Sequence, residues 1–276
     1  MIKDQFSLKP HIITLPQNVR DRKPLIHCLT NVVAAHLTAN VLLAIGASPA
    51  MVRAPEETED FAGIADALLV NLGMLDMQQL EAIQLAVRGA CRAKKPWVLD
   101  PLTAGLPFRL NAAKMLLQKS PSVIRGNASE IIALAEICRQ VPDWKASGGR
   151  GTESTKNPEE ALDSGYYLAR TFQCVIGISG PYNYVMNETQ CLTIEGGHPF
   201  MSQIAGMGCA LNAVIAAYIV AAEDAFTGTA GAIQLFSFAA KQASIFLFSS
   251  AEWGPASFEI RFLNSLNAVL SLPPIS

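Results

Sequence analysis

The chain of 276 residues is 50% hydrophobic and 16% charged, with a formal net charge of −2. That balance excludes a disordered chain, a coiled coil and a disulfide-stapled knot. With 21 Lys and Arg against 23 Asp and Glu and no basic run, the chain offers no footprint for a polyanion, so nucleic acid is not an expected partner.

The six cysteines (Cys28, Cys91, Cys138, Cys174, Cys191, Cys209) include no C-x-x-C pair and read as reduced thiols of a cytoplasmic protein. The first residues lack the apolar core of an export signal. Residues 210–222, the most apolar stretch, contain Asn212 and stop at Glu223-Asp224, too short to cross a membrane, so they read as a buried helix. With no linker and no internal repeat, residues 1–276 read as a single domain.

Short runs of β-branched and aromatic residues alternate with stretches of helical period, the mark of an α/β fold in three layers. A mostly parallel central sheet with helices on both faces is expected. Leu25–Leu29 reads as a strand ending at Thr30-Asn31, followed by a helix over residues 32–45 that Gly46 stops. A strand is expected near residues 50–53, then a helix opening at Pro55 with Glu56 and Glu57 in its first turn. Ala67–Asn71 reads as a strand, residues 76–92 as a helix, and residues 96–100 as a strand whose last residue, Asp100, precedes Pro101 at a carboxyl edge. Such edges are where open α/β sheets bind ligands. A strand over residues 122–124 and a helix over Ala128–Cys138 come next, then a glycine-rich loop over residues 147–154. Residues 158–172 return to helix and 174–179 to strand. Tyr182–Met186 with residues 190–195 makes an antiparallel hairpin around Asn187-Glu188. From Gly206 onward the pattern is almost entirely helical.

The sharpest local feature is Gln203-Ile-Ala-Gly-Met-Gly-Cys-Ala210, in which two glycines run into an apolar helix beginning near Cys209. Successive N–H groups of such a loop converge on one point beside the positive end of a helix dipole, a setting for phosphate. The alternative is a turn that merely starts a buried helix. Cys209 in that first turn is in a setting that lowers a thiol pKa and suits it to take a proton from an alcohol; a small buried hydrophobe is the other role. Arg125-Gly-Asn-Ala-Ser-Glu130 places a guanidinium suited to phosphate beside a carboxylate suited to Mg²⁺, while Asn127 with Glu130 also fits a capping box. Asp100 is either a magnesium ligand through water or part of an Asp-Pro turn. His27 and Met51 are candidates for a pocket wall or for the core, and His36 and His198 lack metal-ligand spacing.

Taken together, His27-Cys28-Leu29-Thr30-Asn31, Thr38-Ala39-Asn40 with Gly46-Ala-Ser-Pro-Ala-Met51, Asp100-Pro101, Arg125-Gly-Asn-Ala-Ser-Glu130 and Gly206-Met-Gly-Cys209 resemble hydroxyethylthiazole kinase, of the ribokinase-like superfamily. The resemblance spans residues 24–255. It implies a ribokinase-like fold and ATP- and Mg²⁺-dependent phosphorylation of the primary alcohol of 4-methyl-5-(2-hydroxyethyl)thiazole in thiamin salvage. By resemblance, Met51 and Gly206 contact the thiazole with Asn31 nearby, and Arg125 and Ser179 bind ATP. Asp100 and Glu130 organise Mg²⁺, residues 206–209 (Gly206, Met207, Gly208, Cys209) form an anion hole, and Cys209 sits at the reacting hydroxyl. A homotrimer with active sites between subunits is also implied; that no membrane partner is expected follows from the short apolar stretch over residues 210–222.

The chain departs from the family at several positions. Met207 stands where a threonine is usual, Ser179-Gly180-Pro181 replaces Thr-Gly and an acid, Glu153 replaces an aspartate and Thr103 a small apolar residue. Returning threonine at 207 is expected to raise turnover by restoring a donor to the loop. Two other readings stay open: a degenerate relative that binds thiazole or nucleotide without turnover, and a nucleotide-hydrate dehydratase of the same fold.

Overall fold

The computed structural model describes residues 10–102, 106–139, 156–245 and 254–268. In chain order these form α1 (Pro10–Arg22), β1 (Leu25–Leu29), α2 (Val32–Ala44), β2 (Ser48–Ala50), α3 (Pro55–Ile64), β3 (Ala67–Asn71), α4 (Met77–Arg92) and β4 (Trp97–Asp100). They continue with α5 (Pro107–Leu117), β5 (Val123–Asn127), α6 (Ala128–Cys138), α7 (Leu162–Phe172), β6 (Val175–Ser179), β7 (Tyr182–Met186) and β8 (Cys191–Glu195). The last third is α8 (Met207–Ala221), α9 (Ala225–Ile245) and α10 (Pro255–Ala268).

The strands make one eight-stranded sheet in the order β2-β1-β3-β4-β5-β6-β7-β8. It is parallel from β2 to β6, and β7 and β8 close it as antiparallel strands. Parallel neighbours need crossover connections, which place helices on both faces. One apolar layer joins Ile26, Cys28, Leu69, Val98 and Val123 to α1, α2, α8, α9 and α10. The other joins Leu68, Val70, Trp97, Leu99 and Ile124 to the helices α3 to α7. The expected three-layer α/β/α fold is the one observed.

Strand parity positions the site. Side chains alternate between faces, so Asn71, Asp100 and Arg125, each two residues beyond a side chain of the first layer, emerge on the face covered by α8. All three stand at or near the carboxyl edge, and Asn71 pairs with Asp100 directly in register.

Several boundaries differ from expectation. β2 covers Ser48–Ala50 rather than residues 50–53, because it pairs with β1 only over that stretch. β5 extends to Asn127, since all five of its residues pair with β6, so Arg125 and Gly126 are strand residues. The helix expected over residues 158–172 splits into a tight turn, Pro158–Ala161, and α7. The hairpin loop holds residues 187–190, with the Asn187 side chain accepting from the N–H groups of Thr189 and Gln190 at 3.0 Å each. Two helices escaped the pattern reading. Pro16 inside α1 argues locally against a helix, yet Leu15 and Val19 are buried in the α8 layer, and packing overrides the missing N–H. α5 opens with Pro107 at its first turn, a start signal that was present in the sequence. Residues 103–105 and 147–154, with the departures at Thr103 and Glu153, lie outside the described residues.

Among the described residues, no helix is long and apolar enough to cross a membrane. The stretch expected as a buried helix lies within α8, where Ala210 to Ile219 are all buried. All six cysteines are free thiols.

Candidate active site

α8 aims its first turn at the carboxyl edge of the sheet. Gly206 caps it with φ +85°, a conformation that L side chains rarely adopt, and a Cβ there would stand 2.8 Å from the Ala34 backbone of α2. Glycine is thus required twice over at 206. The helix starts at Met207, two residues earlier than expected, so Cys209 is its third residue and Gly208 is exposed in the first turn. The N–H groups of such a turn have no partner within the helix and suit an anion.

Met207 corrects one expectation. Its side chain is only 3% exposed and belongs to the core layer of α8, not to the mouth of the loop. Any contribution from this residue to an anion hole is through its backbone. Met207→Thr is therefore expected to cost about 1 to 3 kcal/mol of stability by removing buried apolar volume and burying a hydroxyl, without a gain in kcat. A thermal melt with parallel turnover measurements checks this, and a raised kcat would show that the hydroxyl reaches the loop.

A hydrogen-bonded network of side chains ties the edge together. Asn31 caps α2, its Oδ1 accepting from the Ala34 N–H at 3.0 Å, while its Nδ2 donates to Asn71 Oδ1 at 3.0 Å and approaches Cys209 Sγ at 3.7 Å. Asn71 Oδ1 also accepts from the Gly73 N–H at 2.9 Å, and its Nδ2 donates to Cys209 Sγ at 3.2 Å and to Asp100 Oδ2. Asp100 accepts from the Leu102 N–H at 3.3 Å. One turn beyond Cys209, the buried side-chain amide of Asn212 makes no hydrogen bond of ordinary length but lies close enough to Asp100 to favour its ionised form.

Arg125 crosses from β5 to α8, donating from Nη1 to the Gly208 carbonyl at 2.8 Å. It lies across Gly177 of β6, where a Cβ would meet Arg125 Cγ at 2.7 Å, so the absent side chain at 177 makes the room. Glu130 completes a capping box on α6: its Oε2 accepts from the Asn127 N–H at 2.8 Å, and its own N–H donates to Asn127 Oδ1 at 3.0 Å. Ser179, paired with Asn127 across the sheet, donates to the Gly126 carbonyl at 3.2 Å.

The electrostatics follow from burial. Burial pushes the Asp100 and Glu130 carboxyls above their ordinary range, Asp100 raises Glu130 further, and the Arg125 guanidinium opposes both shifts. Cys209 differs from expectation: burial first, then the Asp100 charge, push its thiol well above the ordinary value, overriding the donors from Asn71 and Asn31. The position in the first turn of α8 does not make it a thiolate in the free protein.

Of the residues singled out in the sequence, Asn31, Asp100, Arg125, Gly206, Gly208 and Cys209 come together here. Glu130, held by its capping box, lies close enough for its charge to be repelled by Asp100 and attracted by Arg125, and Ser179 stands one strand further along the same edge. Met51 follows β2 at the far end of this edge, half-buried against the α8 layer. His27 belongs to the core: it is fully buried, bonded through Nε2 to the Val52 carbonyl at 2.8 Å and edge-on to Phe61. Asn71 and Asn212 were missed as site residues. The signal for both was an amide within an apolar run, one closing a strand and one interrupting a helix.

Asp100 and Glu130 are the oxygen donors able to hold a divalent cation. No cluster of three or more His, Cys, Asp or Glu forms a cage among the described residues. Two buried carboxylates facing a single guanidinium suit Mg²⁺, which binds through one or two carboxylates and leaves its other positions to water and phosphate.

Comparison with known proteins agrees. A profile of the Hydroxyethylthiazole kinase family matches residues 16–271. A hydroxyethylthiazole kinase of Rhizobium etli (strain CIAT 652) is 42% identical over 253 residues, 91% of this chain and 93% of that protein. One from Leptospira interrogans (serovar Lai, strain 56601) is 42% identical over 250 residues, 90% of this chain and 89% of its own. Among solved structures, the hydroxyethylthiazole kinase protein of Pyrococcus horikoshii OT3 superimposes with a TM-score of 0.80 at 32% identity, covering 93% of this chain and 92% of that one. An NAD(P)H-hydrate dehydratase of Bacillus subtilis shares the fold alone, at 14% identity and a TM-score of 0.58. An α/β sheet of this order, a glycine-capped helix aimed at its carboxyl edge and similarity over nine-tenths of the chain have one conclusion: the chain belongs to the hydroxyethylthiazole kinase family, whose members are phosphotransferases of ribokinase-like fold.

Proposed function

We propose that the chain transfers the γ-phosphoryl group of ATP to the hydroxyl of 4-methyl-5-(2-hydroxyethyl)thiazole at the head of α8. The observation that carries this reading is the convergence of Asn31, Asn71, Asp100, Arg125 and Cys209, from five elements, on the open first turn at Gly206 to Gly208.

In this reading Arg125 and Ser179 face the nucleotide, Met51, Asn31 and Gly206 bound the thiazole, and Cys209 meets its hydroxyl. Asp100 and Glu130 would hold Mg²⁺, which when bound neutralises charge on the phosphates. Phosphoryl transfer depends on in-line positioning and charge neutralisation more than on a strong base. A neutral thiol fits that requirement: Cys209 orients the alcohol, whose proton passes to an oxygen of the transferred phosphoryl group as the new O–P bond forms and the β–γ bridging bond breaks to leave ADP. The backbone N–H groups of Gly206 and Gly208 would meet the charge that develops, the Met207 N–H being donated to the Ile204 carbonyl at 3.4 Å.

Purified protein incubated with ATP, Mg²⁺ and the thiazole alcohol is expected to yield phosphothiazole, read by mass spectrometry. Absence of product while ADP-competitive nucleotide binding persists would replace the kinase by a binder. Glu130→Gln separates the metal role from the cap, because Gln still accepts from the Asn127 N–H but is a poor magnesium ligand. Mg²⁺-dependent turnover is expected to fall while the free protein melts no lower. Since the Glu130 carboxyl titrates higher when folded, with Asp100 and Arg125 as the charges facing it, stability is present at low pH and lost as pH rises above the ordinary carboxylate range. Glu130→Gln flattens that slope. Undiminished turnover would reduce Glu130 to a cap.

We also assign a homotrimer of a cytoplasmic enzyme, with sites completed between subunits. In support, Val32 and Val33 beside Asn31, and Met74 and Met77 beyond Asn71, are apolar and more than half exposed. Light scattering on the eluting protein tests the assembly, and a monomer at micromolar concentration would reject it.

A further inference from the structure

The side-chain amide of Asn71 has all four of its hydrogen-bonding positions filled. Its Oδ1 accepts from the Gly73 backbone N–H and from Asn31 Nδ2, and its Nδ2 donates to Asp100 and to Cys209 Sγ. The orientation follows from chemistry: the Gly73 N–H can only donate, so the oxygen must face it and the NH₂ must face the carboxylate and the sulfur. Asn31 is locked in the same way, because its oxygen is taken by the Ala34 N–H at the start of α2. Two amides fixed by backbone groups therefore both present N–H donors to one sulfur, at 3.2 and 3.7 Å.

We infer that Asn71 is a positioning residue for the phosphotransfer, holding Cys209 Sγ as a hydrogen-bond acceptor and Asp100 in one rotamer through the two N–H groups of a single locked amide. This inference rests on the kinase reading of the site. With lone pairs of the sulfur engaged by Asn71 and Asn31, the thiol hydrogen is directed away from them. The thiol stays neutral through the step, and the two donors keep the sulfur fixed beside the reacting hydroxyl, whose proton passes to an oxygen of the transferred phosphoryl group. A small apolar side chain at 71 would fill the strand end equally well, so the polar amide in a buried strand needs a polar reason, and these four bonds supply it.

The test is a double-mutant cycle on kcat. Asn71→Ala in the native background is expected to lower kcat about 10- to 100-fold, the loss of the hydrogen bond that fixes the thiol beside the reacting hydroxyl, with thiazole KM within about threefold. In the Cys209→Ala background the same change is expected to cost several-fold less, because the partner it acts through is gone. A merely structural role would lower kcat equally in both backgrounds, and that outcome overturns the inference, as does native turnover in Asn71→Ala. Asn71→Asp keeps the shape and both acceptor bonds but loses the donors, so native turnover there would also overturn it. Alkylation of Cys209 by iodoacetamide at one fixed pH, read on its peptide by mass spectrometry, probes the contact without turnover. Slowing by about threefold or more in Asn71→Ala supports the inference, and an unchanged or faster rate overturns it. If native protein forms no phosphothiazole, the kinase reading fails while the alkylation result still decides the contact.

Discussion

Replacing Cys209 with alanine is expected to lower kcat by about 10² to 10⁴, the usual contribution of one proton-handling group, and to leave thiazole affinity nearly unchanged. The smaller end of that range is favoured by the raised thiol pKa, which makes Cys209 an orienting group more than a standing base. Cys209→Asp is expected to retain substantial activity. The N–H donors of Asn31 and Asn71 already point at this position, and hydrogen bonds to a charged acceptor contribute about 1.5 to 3 kcal/mol each. The α8 dipole adds a few tenths to 1 kcal/mol. Against these stands the Asp100 charge, a repulsion of about 4 kcal/mol at 4 Å in an effective dielectric of about 20, with Arg125 nearby to offset it. Burial at this position adds to that repulsion, so a carboxylate at 209 titrates above its ordinary range, while the two amide donors, the helix dipole and Arg125 keep it within reach of the alcohol's proton. Steady-state kinetics on the two variants checks this. Full turnover in Cys209→Ala would remove the thiol from the reaction, and a dead Cys209→Asp with native melting behaviour would show that repulsion from Asp100 prevails.

Arg125→Ala carries the largest expected effect on both binding and stability. The guanidinium is the cation facing Asp100 and Glu130, and it also anchors the first turn of α8 through the Gly208 carbonyl. Its loss should weaken ATP binding about 10- to 150-fold, as one charge-assisted bond to phosphate would, while thiazole affinity holds. It should also cost about 3 to 5 kcal/mol of stability near neutral pH, because two buried carboxyls keep their desolvation and lose their counterion. The sign of the pH dependence follows. Without Arg125 both carboxyl pKa values rise further in the folded state, so the folded protein is favoured where they are protonated and the deficit grows as pH climbs through the carboxylate range. Calorimetry with ATP and thermal melts at pH 5 and pH 8 check the two parts. Unchanged ATP affinity would reject Arg125 as a nucleotide ligand, and an equal deficit at both pH values would show that it does not face ionised carboxylates.

The layered α/β architecture was legible in the chain because its period alternates between strand and helix, and the strands over Leu25–Leu29 and Ala67–Asn71 carry that alternation without ambiguity. Asn31, Asp100, Glu130, Gly206 and Cys209 were legible for a related reason: each lies at or within a turn of the point where one element ends and the next begins, and such junctions have local signatures of caps, glycines and prolines, whereas Arg125 stands mid-strand in β5 and was legible only through the Gly-Asn-Ala-Ser-Glu run that follows it. Glu130 illustrates the boundary of that reading. Its capping box follows from a spacing of three residues, but the raised carboxyl pKa follows from burial and then from the Asp100 charge, which reaches it only through the pairing of β4 with β5, with Arg125 opposing the shift.

Tertiary structure alone decided the rest. Strand register set Asn71 against Asp100, and packing of α8 over the sheet brought Cys209 to the same amide from far along the chain, so no local pattern could mark Asn71. Met207 turned into the core, and the Cys209 thiol was pushed up, because which way a helix rolls on a sheet and how much water it excludes are sums over many distant side chains. Local sequence sets where elements start and stop, since caps and turns are short-range hydrogen bonds. Burial and charge coupling are collective, and they are what turn a row of strand ends into a site.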